Sequence, residues 1–497
     1  MKTKRILRSC LLLALVAIFL FSVVACGSDG VIAELEAKIA EAESKLSTLE
    51  QELQSTKEDL KEAQDKIKEY EEKASHYDFY ITLGTMPTLY ATLNAYAEQN
   101  PNTYMWFYRG NTISYMYSAP FINYFPTQSV TNANSAIDYG QIRNKVKEIL
   151  AKDPGATFHL YCDDLRVRFI ADIFVYAGVD FEDLDITLLS DGTGTYSLFS
   201  GITNTAWAGH PAEWERVLKT FTEGRDNASF TSPYGNDQAV ELQHLAYYVS
   251  TFDNVEYWVQ APDYLTGAGS DVMAAKSSMN IVAKDPKAMY RALDEDVRKE
   301  YQKAVLANAL VNSDTLTTLE QAAAYFDAQL SGRDKEVVLI LGTGYSSLEQ
   351  NKFYIDETLK FYTPTVSDAD PTKVIYKNKE YTVTEGATTI TVDGKELTIG
   401  QVGVYLFFKG HPAYPADETL QAYFAEHNIV VLPHRTPVET LFWMYDVKVG
   451  GFESTSFLST NKGQTEFIYE LPTLTALVQM KDAGFFEGAA YFIQPTA

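Results

Sequence analysis

Two short stretches late in the chain hold residue types suited to phosphate chemistry. One is Phe408-Lys409-Gly410-His411-Pro412; the other is Lys448-Val449-Gly450-Gly451-Phe452-Glu453-Ser454-Thr455. A lysine and a histidine in a turn held by proline can bind a phosphate and protonate it as it departs. Gly450 and Gly451 permit a turn that brings amide N–H groups and the Ser454 and Thr455 hydroxyls onto an anion. Each stretch also has a plainer reading, with His411 as a packing or capping histidine and Ser454-Thr455-Ser456 as a helix cap. Gly-His-Pro occurs a second time, at Gly209-His210-Pro211, without the apolar strand or the lysine; there it reads as a helix start. Glu439 sits near the start of a predicted helix, either as a favourable charge on the helix dipole or as an acceptor for two ribose hydroxyls.

Asp191 follows the apolar run Ile186-Thr187-Leu188-Leu189 and precedes Gly192-Thr193-Gly194-Thr195. A carboxylate at the carboxyl end of such a strand faces the cleft of an open α/β sheet and suits a general base on a sugar hydroxyl; an ordinary Asp-Gly turn is the alternative. Gly342-Thr343-Gly344 follows a buried-type strand and would let a nucleotide or sugar come close to the backbone, but it lacks the Lys-Ser/Thr ending of a P-loop. Asp163-Asp164 is an acidic pair that could hold a metal in a transferase. Arg166 and Arg168 lie beside it, and no metal is expected there.

These residues need strands and helices to hold them. Phe79–Leu83, Thr103–Tyr108, Thr157–Tyr161 and Ile186–Leu189 read as strands, with helices starting at Met86-Pro87-Thr88 and over Leu165–Tyr176. Residues 210–330 are mostly helical in pattern. A second α/β unit opens at Glu336–Leu341 and continues through strands Val402–Phe408 and Ile429–Leu432 and a helix over Val438–Tyr445. Residues 374–399 read as a β-hairpin insert turning at Asp393-Gly394. Strands alternating with helices predict two parallel sheets, with a ligand cleft at the carboxyl ends of their strands.

The N-terminus has a different character. Lys2, Lys4, Arg5 and Arg8 precede the apolar run Leu11–Val24, which is short for a membrane span and ends at Val23-Val24-Ala25-Cys26. This pattern predicts a lipoprotein signal over residues 1–25, with the lipid on Cys26 and the mature chain on the outer face of a bacterial membrane. Residues 26–76 then form the anchor and a stalk. Ile32, Leu35, Ile39, Ala42, Leu46, Leu49, Leu53, Thr56, Leu60, Ala63, Ile67 and Tyr70 alternate at spacings of three and four, a coiled-coil heptad that would support a homo-oligomer. A single amphipathic helix packed on its own domain is the alternative. The remaining 77–330 and 331–497 are assigned to two domains. The formal charge of −25 becomes −29 once the four basic residues of the signal are removed, which argues against nucleic acid as a partner. Cys10 lies in the signal, so Cys162 alone is left after lipidation, and neither a disulfide framework nor a cysteine-based zinc site is available.

Taken in order, the Met86-Pro87-Thr88-Leu89 helix start, the Asp191-Gly192 turn, the Gly342-Thr343 turn, Lys409-Gly410-His411-Pro412, and Glu439 followed by Lys448-Val449-Gly450-Gly451 and the hydroxyl pair resemble the bacterial sialyltransferases of glycosyltransferase family eighty (the Pasteurella/Photobacterium type). The resemblance covers most of residues 78–470 and leaves out the stalk and the 374–399 insert. It implies two Rossmann-like domains facing a central cleft (the GT-B arrangement) and an inverting, metal-independent transfer from CMP-sialic acid to a galactoside-type glycan, with no cofactor. It also implies residue roles. Asp191 matches the base on the acceptor hydroxyl and His411 the histidine that assists departure of the CMP phosphate. Gly342, Thr343, Lys409, Gly410 and Pro412 match the nucleotide-holding turns, Glu439 the ribose-binding glutamate, and Ser454 and Thr455 the phosphate-binding hydroxyls. Acceptor contacts fall to Arg109, Asp164 and Tyr345, the last standing where the family has a tryptophan. Two departures bear on function: Ser190 replaces the first carboxylate of an acidic pair, and the stretch around Asp163-Asp164 differs from the family's. A lipid-anchored solute-binding protein and a transferase for another CMP-activated acid sugar, such as Kdo, are the rival readings.

Overall fold

The computed structural model describes residues 29–72, 75–107, 119–125, 140–225, 227, 230, 240–307, 310, 316–344, 346–411 and 415–495. The signal with Cys26, and the candidate residues Arg109, Tyr345 and Pro412, lie outside the described residues. The chain divides into two units, with the boundary after Ala74.

The first unit is one 44-residue helix, Asp29–Glu72. Ion pairs four residues apart run along it, Glu34–Lys38 at 2.7 Å and Glu41–Lys45 at 2.5 Å. Such pairs are open to water and screened by salt, so they contribute little to stability. Leu49, Leu53 and Leu60, all on the heptad seam, are exposed. Among the described residues no helix is long and apolar enough to cross a membrane.

The second unit is built on two parallel sheets. The seven strands of the first are β1 (His76–Thr82), β2 (Thr103–Phe107), β3 (Ile122–Tyr124), β4 (Thr157–Asp163), β5 (Leu184–Leu189), β6 (Val255–Val259) and β7 (Ile281–Ala283). Their order is β3-β2-β1-β4-β5-β6-β7, with every pairing parallel. The second sheet starts with β8 (Glu336–Leu341). An insert of five short strands follows: β9 (Thr365–Ser367), β10 (Asp370–Tyr376), β11 (Lys379–Thr382), β12 (Thr389–Val392) and β13 (Lys395–Thr398). Then come β14 (Val404–Lys409), β15 (Val430–Leu432), β16 (Lys448–Phe452), β17 (Thr465–Tyr469) and β18 (Ala490–Phe492). The main strands order as β15-β14-β8-β16-β17-β18, again all parallel.

Strands β8 (Glu336-Val337-Val338-Leu339-Ile340-Leu341) and β14 (Val404-Tyr405-Leu406-Phe407-Phe408-Lys409) are near-continuous apolar runs, as expected where both faces of a parallel sheet are covered. The edge strands β3, β7, β15 and β18 have three residues each, which limits the unpaired backbone they offer to other chains. The hairpin turn at Asp393-Gly394 has positive φ at both residues, 49° and 78°, as a type I′ turn requires. In each sheet the strand order reverses beside the first strand, between β1 and β4 and between β8 and β16. Ligands of open α/β sheets bind outside the carboxyl ends of the strands at such points.

Three local expectations change. Leu165–Tyr176 is a 3-10 turn followed by a π-helix over Ile170–Val175, not a regular α-helix. Gly209-His210-Pro211 does not start a helix: the helix begins at Asn204, where Thr203 accepts a cap bond from the Ala206 N–H, and His210 lies buried inside it. Gly450 and Gly451 are in strand β16, not in a turn. They are glycines for packing: a Cβ on Gly450 would sit 2.3 Å from the Phe467 ring, and one on Gly451 (φ 125°) would sit 2.4 Å from the Leu341 carbonyl oxygen. The pairing slips at this bulge between Val449 and Gly450.

One hydrophobic core runs through both sheets. It joins Phe79, Leu160 and Leu188 of the first to Leu339, Val449 and Ile468 of the second. A second cluster fills the outer side of the second sheet and takes in the insert. The helix Thr475–Asp482 packs against the helix Thr193–Gly201 of the first sheet's layer, and Gln479 donates to Thr266 there.

Candidate active site

Facing strand ends of the two sheets enclose a cavity of about 340 Å³. The first sheet lines it with Gly84, Thr85 and Met86 after β1 and with Asp191, Gly192 and Gly194 after β5. The second sheet lines it with Gly342 after β8, Lys409, Gly410 and His411 at the end of β14, Glu439 from the helix Val438–Met444, and Ser454, Thr455 and Ser456 after β16. Residues up to 372 positions apart in the chain, Gly84 and Ser456, are thus in one place. Gly192 and Thr455 touch: a Cβ on Gly192 (φ 61°) would lie 3.3 Å from the Thr455 Cβ. Thr343 and Asp164 are not among the lining residues.

Asp191 is positioned by groups the sequence did not single out. Its backbone N–H donates to Thr195 Oγ1 at 2.8 Å. The Thr195 hydroxyl donates in turn to Asp164 Oδ2 at 2.5 Å, and the Tyr257 hydroxyl donates to the same oxygen at 2.6 Å. Asp164 therefore works behind the loop, fully buried, tying β6 to the helix that follows Asp191. Burial pushes its carboxyl up to about 7, with the two hydroxyls opposing the shift.

Asp163 ends β4, beside Leu189 of β5. Its Oδ2 accepts the Leu83 and Gly84 N–H groups at 2.8 and 2.9 Å. Burial first, and then the neighbouring Asp191 charge, hold its carboxyl well above the usual carboxylate range. A proton kept on Asp163 leaves the carboxylate role to Asp191. Asp163→Asn, which mimics the protonated acid, is expected to keep most of the activity in an initial-rate assay. A carboxyl whose pKa is raised on folding loses its stabilising share as pH rises from about 3.9 through the folded value. Melting curves should therefore show the Asn variant gaining on the parent protein toward neutral pH.

Gly84 completes this side. Its φ of −79° suits any residue, but a Cβ there would sit 2.0 Å from Asp191 Oδ1. Asp191 would have to swing aside by rotation of its side chain, with no backbone atom in the way. Gly84→Ala is expected to lower turnover by about 100-fold, the penalty for misplacing a reacting group by an ångström, with an unchanged unfolding midpoint. A variant of parental activity would show that Asp191 is not held in a functional position.

On the facing side Lys409 is buried, with Nζ donating to the Gly410 carbonyl at 2.9 Å. Burial pushes its ammonium down to about 8, and the Glu439 charge opposes the shift. Glu439 is also buried, and its Oε1 accepts the Ser456 hydroxyl at 2.6 Å. Ser456 is a lining residue that the hydroxyl-pair reading overlooked. Ser454 is the N-cap of the 3-10 helix Thr455–Ser459, its Oγ accepting the Ser456 N–H at 3.3 Å. Capping and cavity lining are therefore both properties of this serine. A cation, a histidine, a carboxylate and three hydroxyls on one wall, with a carboxylate on the other, can hold a phosphorylated nucleoside and take a proton from an attacking hydroxyl.

No family model and no curated protein matches the chain. Among solved structures, the alpha/beta-galactoside alpha-2,3-sialyltransferase of the luminous marine bacterium Photobacterium phosphoreum aligns with 84% of this chain and 98% of its own, at 15% identity and a TM-score of 0.52. The chain has a GT-B-like fold. Two further structures align at lower scores. Medicago truncatula UGT71G1 complexed with UDP-glucose covers 85% of this chain and 87% of its own at 11% identity and a TM-score of 0.38. UDP-GlcNAc 2-epimerase from Neisseria meningitidis bound to UDP-GlcNAc covers 82% and 86% at 9% identity, also at 0.38.

Proposed function

We propose that this GT-B protein is an inverting, metal-independent sialyltransferase that moves sialic acid from CMP-sialic acid to a galactoside-type acceptor. The observation that carries the reading is Asp191 on one wall of the cleft opposite Lys409, His411 and Glu439 on the other. The acceptor hydroxyl gives its proton to Asp191 as its oxygen attacks the anomeric carbon. The bond from that carbon to the phosphate oxygen breaks on the opposite face. Lys409 and His411 take up the charge that develops on the departing CMP. Glu439, with Oε1 on Ser456, offers Oε2 to a ribose hydroxyl. The shared fold with a bacterial galactoside sialyltransferase supports this donor and acceptor class.

The test is calorimetric titration of the purified chain with CMP, followed by incubation with CMP-sialic acid and lactose and mass analysis of products. Binding of CMP and formation of sialyl-lactose are expected. If CMP does not bind and CMP-sialic acid is neither transferred nor hydrolysed, the assignment fails. Preference for CMP-Kdo over CMP-sialic acid in competition would move the reading to that donor. Stabilisation by free sugars but not by CMP would favour a solute-binding protein.

We further propose that the mature chain is lipidated on Cys26, stands on the extracytoplasmic face of a bacterial membrane, and associates through the helix Asp29–Glu72. The exposed seam leucines Leu49, Leu53 and Leu60 support association. Light scattering should show an oligomer for the chain with this helix and a monomer when residues 27–74 are deleted. A monomer in both cases would remove the coiled coil.

A further inference from the structure

The first sheet has a second cluster of chemistry-bearing side chains, at the end away from the cleft. His76 and Asp78 are two residues apart on β1 and share a face; His159 of β4 pairs in register with Asp78. One ligand atom from each of the three lies within 4.8 Å of the others. A further partner orients each side chain. Thr157 Oγ1 is 2.8 Å from His76 Nδ1, and His76 Nε2 is 3.3 Å from Asp78 Oδ1. Asn100 Nδ2 donates to Asp78 Oδ2 at 2.8 Å. Thr187 Oγ1 is 2.8 Å from His159 Nε2, so coordination by that ring falls to Nδ1. His159 is also stacked on Tyr161, 4.0 Å between ring centroids.

From this arrangement we propose that His76, Asp78 and His159 form a binding site for one divalent transition-metal ion, zinc in the first instance. Two imidazoles and one carboxylate are a nitrogen/oxygen donor set that zinc accepts, with water completing the four-coordinate shell. Metal-bound histidines characteristically have the second ring nitrogen on a hydrogen-bonding partner, which fixes the tautomer and the ring plane. Thr157 and Thr187 stand in those positions, and Asn100 does the same for the carboxylate. Asp78 lies four residues before the end of β1 at Thr82, about 13 Å at strand spacing, and the cleft begins beyond that end. The ion would therefore clamp β1 to β4 where the chain enters the sheet and would take no part in transfer. The proposal does not depend on the donor assigned above.

The experiment uses the full-length chain without a polyhistidine tag, stripped with EDTA. Zinc is titrated against a chromophoric chelator, and cobalt by its visible absorption. One ion per chain is expected, with a thermal midpoint raised by several degrees on loading. His76→Gln, at a half-buried position, and His159→Gln should each lower affinity by at least 100-fold. Thr187→Val, which touches no metal, should lower it by about 10- to 100-fold. Circular dichroism in EDTA confirms that each variant is folded. The proposal is overturned if neither zinc nor cobalt binds stoichiometrically, or if both folded histidine variants bind with parental affinity.

Discussion

For the proposed transfer, Asp191→Asn is expected to lower turnover by about 10²–10⁴-fold, the usual contribution of a positioned general base. CMP affinity is expected to stay at the parental value. The reasoning is geometric. Asp191 lines the cleft from the first sheet, whereas the groups assigned to the nucleotide lie on the second. Asparagine keeps the shape, and the backbone N–H bond to Thr195 Oγ1 does not depend on the side chain. The substitution removes a proton acceptor and leaves the loop in place. A loss of turnover accompanied by an equal loss of CMP binding would mean that the loop had collapsed. Asp191→Asn with undiminished turnover would mean that another group takes the proton.

Lys409→Met is the second large effect, and it acts on the other substrate. Nζ is buried beside Glu439 and has a carbonyl as its hydrogen-bond acceptor. A nucleotide phosphate would give this cation a full counter-charge. Loss of one charge-assisted bond costs about 1.5–3 kcal/mol, or roughly 10- to 150-fold in Kd, read by titration with CMP. The pH dependence adds a signature that a packing defect would not produce. Burial pushes Lys409 down to about 8, so the parental protein should bind CMP evenly below that pH and progressively more weakly above it, as the ammonium becomes a neutral amine. The variant should lose this basic limb. Stability runs the other way. The unfolded chain holds this proton up to about pH 10.4, so it binds more protons than the folded chain between about 8 and 10.4, and stability rises with pH across that window. A CMP-binding profile with the same basic limb in the parent and in Lys409→Met would assign the titration to a different group.

The legible parts of the site were those whose signal is local. The Asp191 loop, the Lys409-Gly410-His411 stretch and Gly342 could be placed at strand ends because an apolar run stopped by glycine or a polar residue marks a buried parallel strand and its carboxyl end. Where a motif had no such flanking context it misled. Gly209-His210-Pro211 is a helix interior, since its Thr203 cap lies earlier in the chain. Gly450-Gly451 has the composition of a turn, yet the two glycines serve close strand packing against Phe467 and Leu341. That requirement comes from neighbours which the two glycines do not reveal.

The sequence by itself determined the strand–helix alternation, the strand ends on which the chemistry sits, the long heptad helix and the acidic balance. Each follows from periodicity, turn residues or charge within a short window. Only the tertiary structure decided which strand ends meet. It put Asp163 beside Asp191, set Gly84 under its carboxylate, placed Ser456 on Glu439 and brought His76, Asp78 and His159 together. Sheet order and the facing of two sheets set those pairings, through burial summed over a core that runs across both. The elevated proton affinity of Asp163 and the depressed one of Lys409 follow from the same cause. Desolvation belongs to the assembled cleft, and no residue carries it alone.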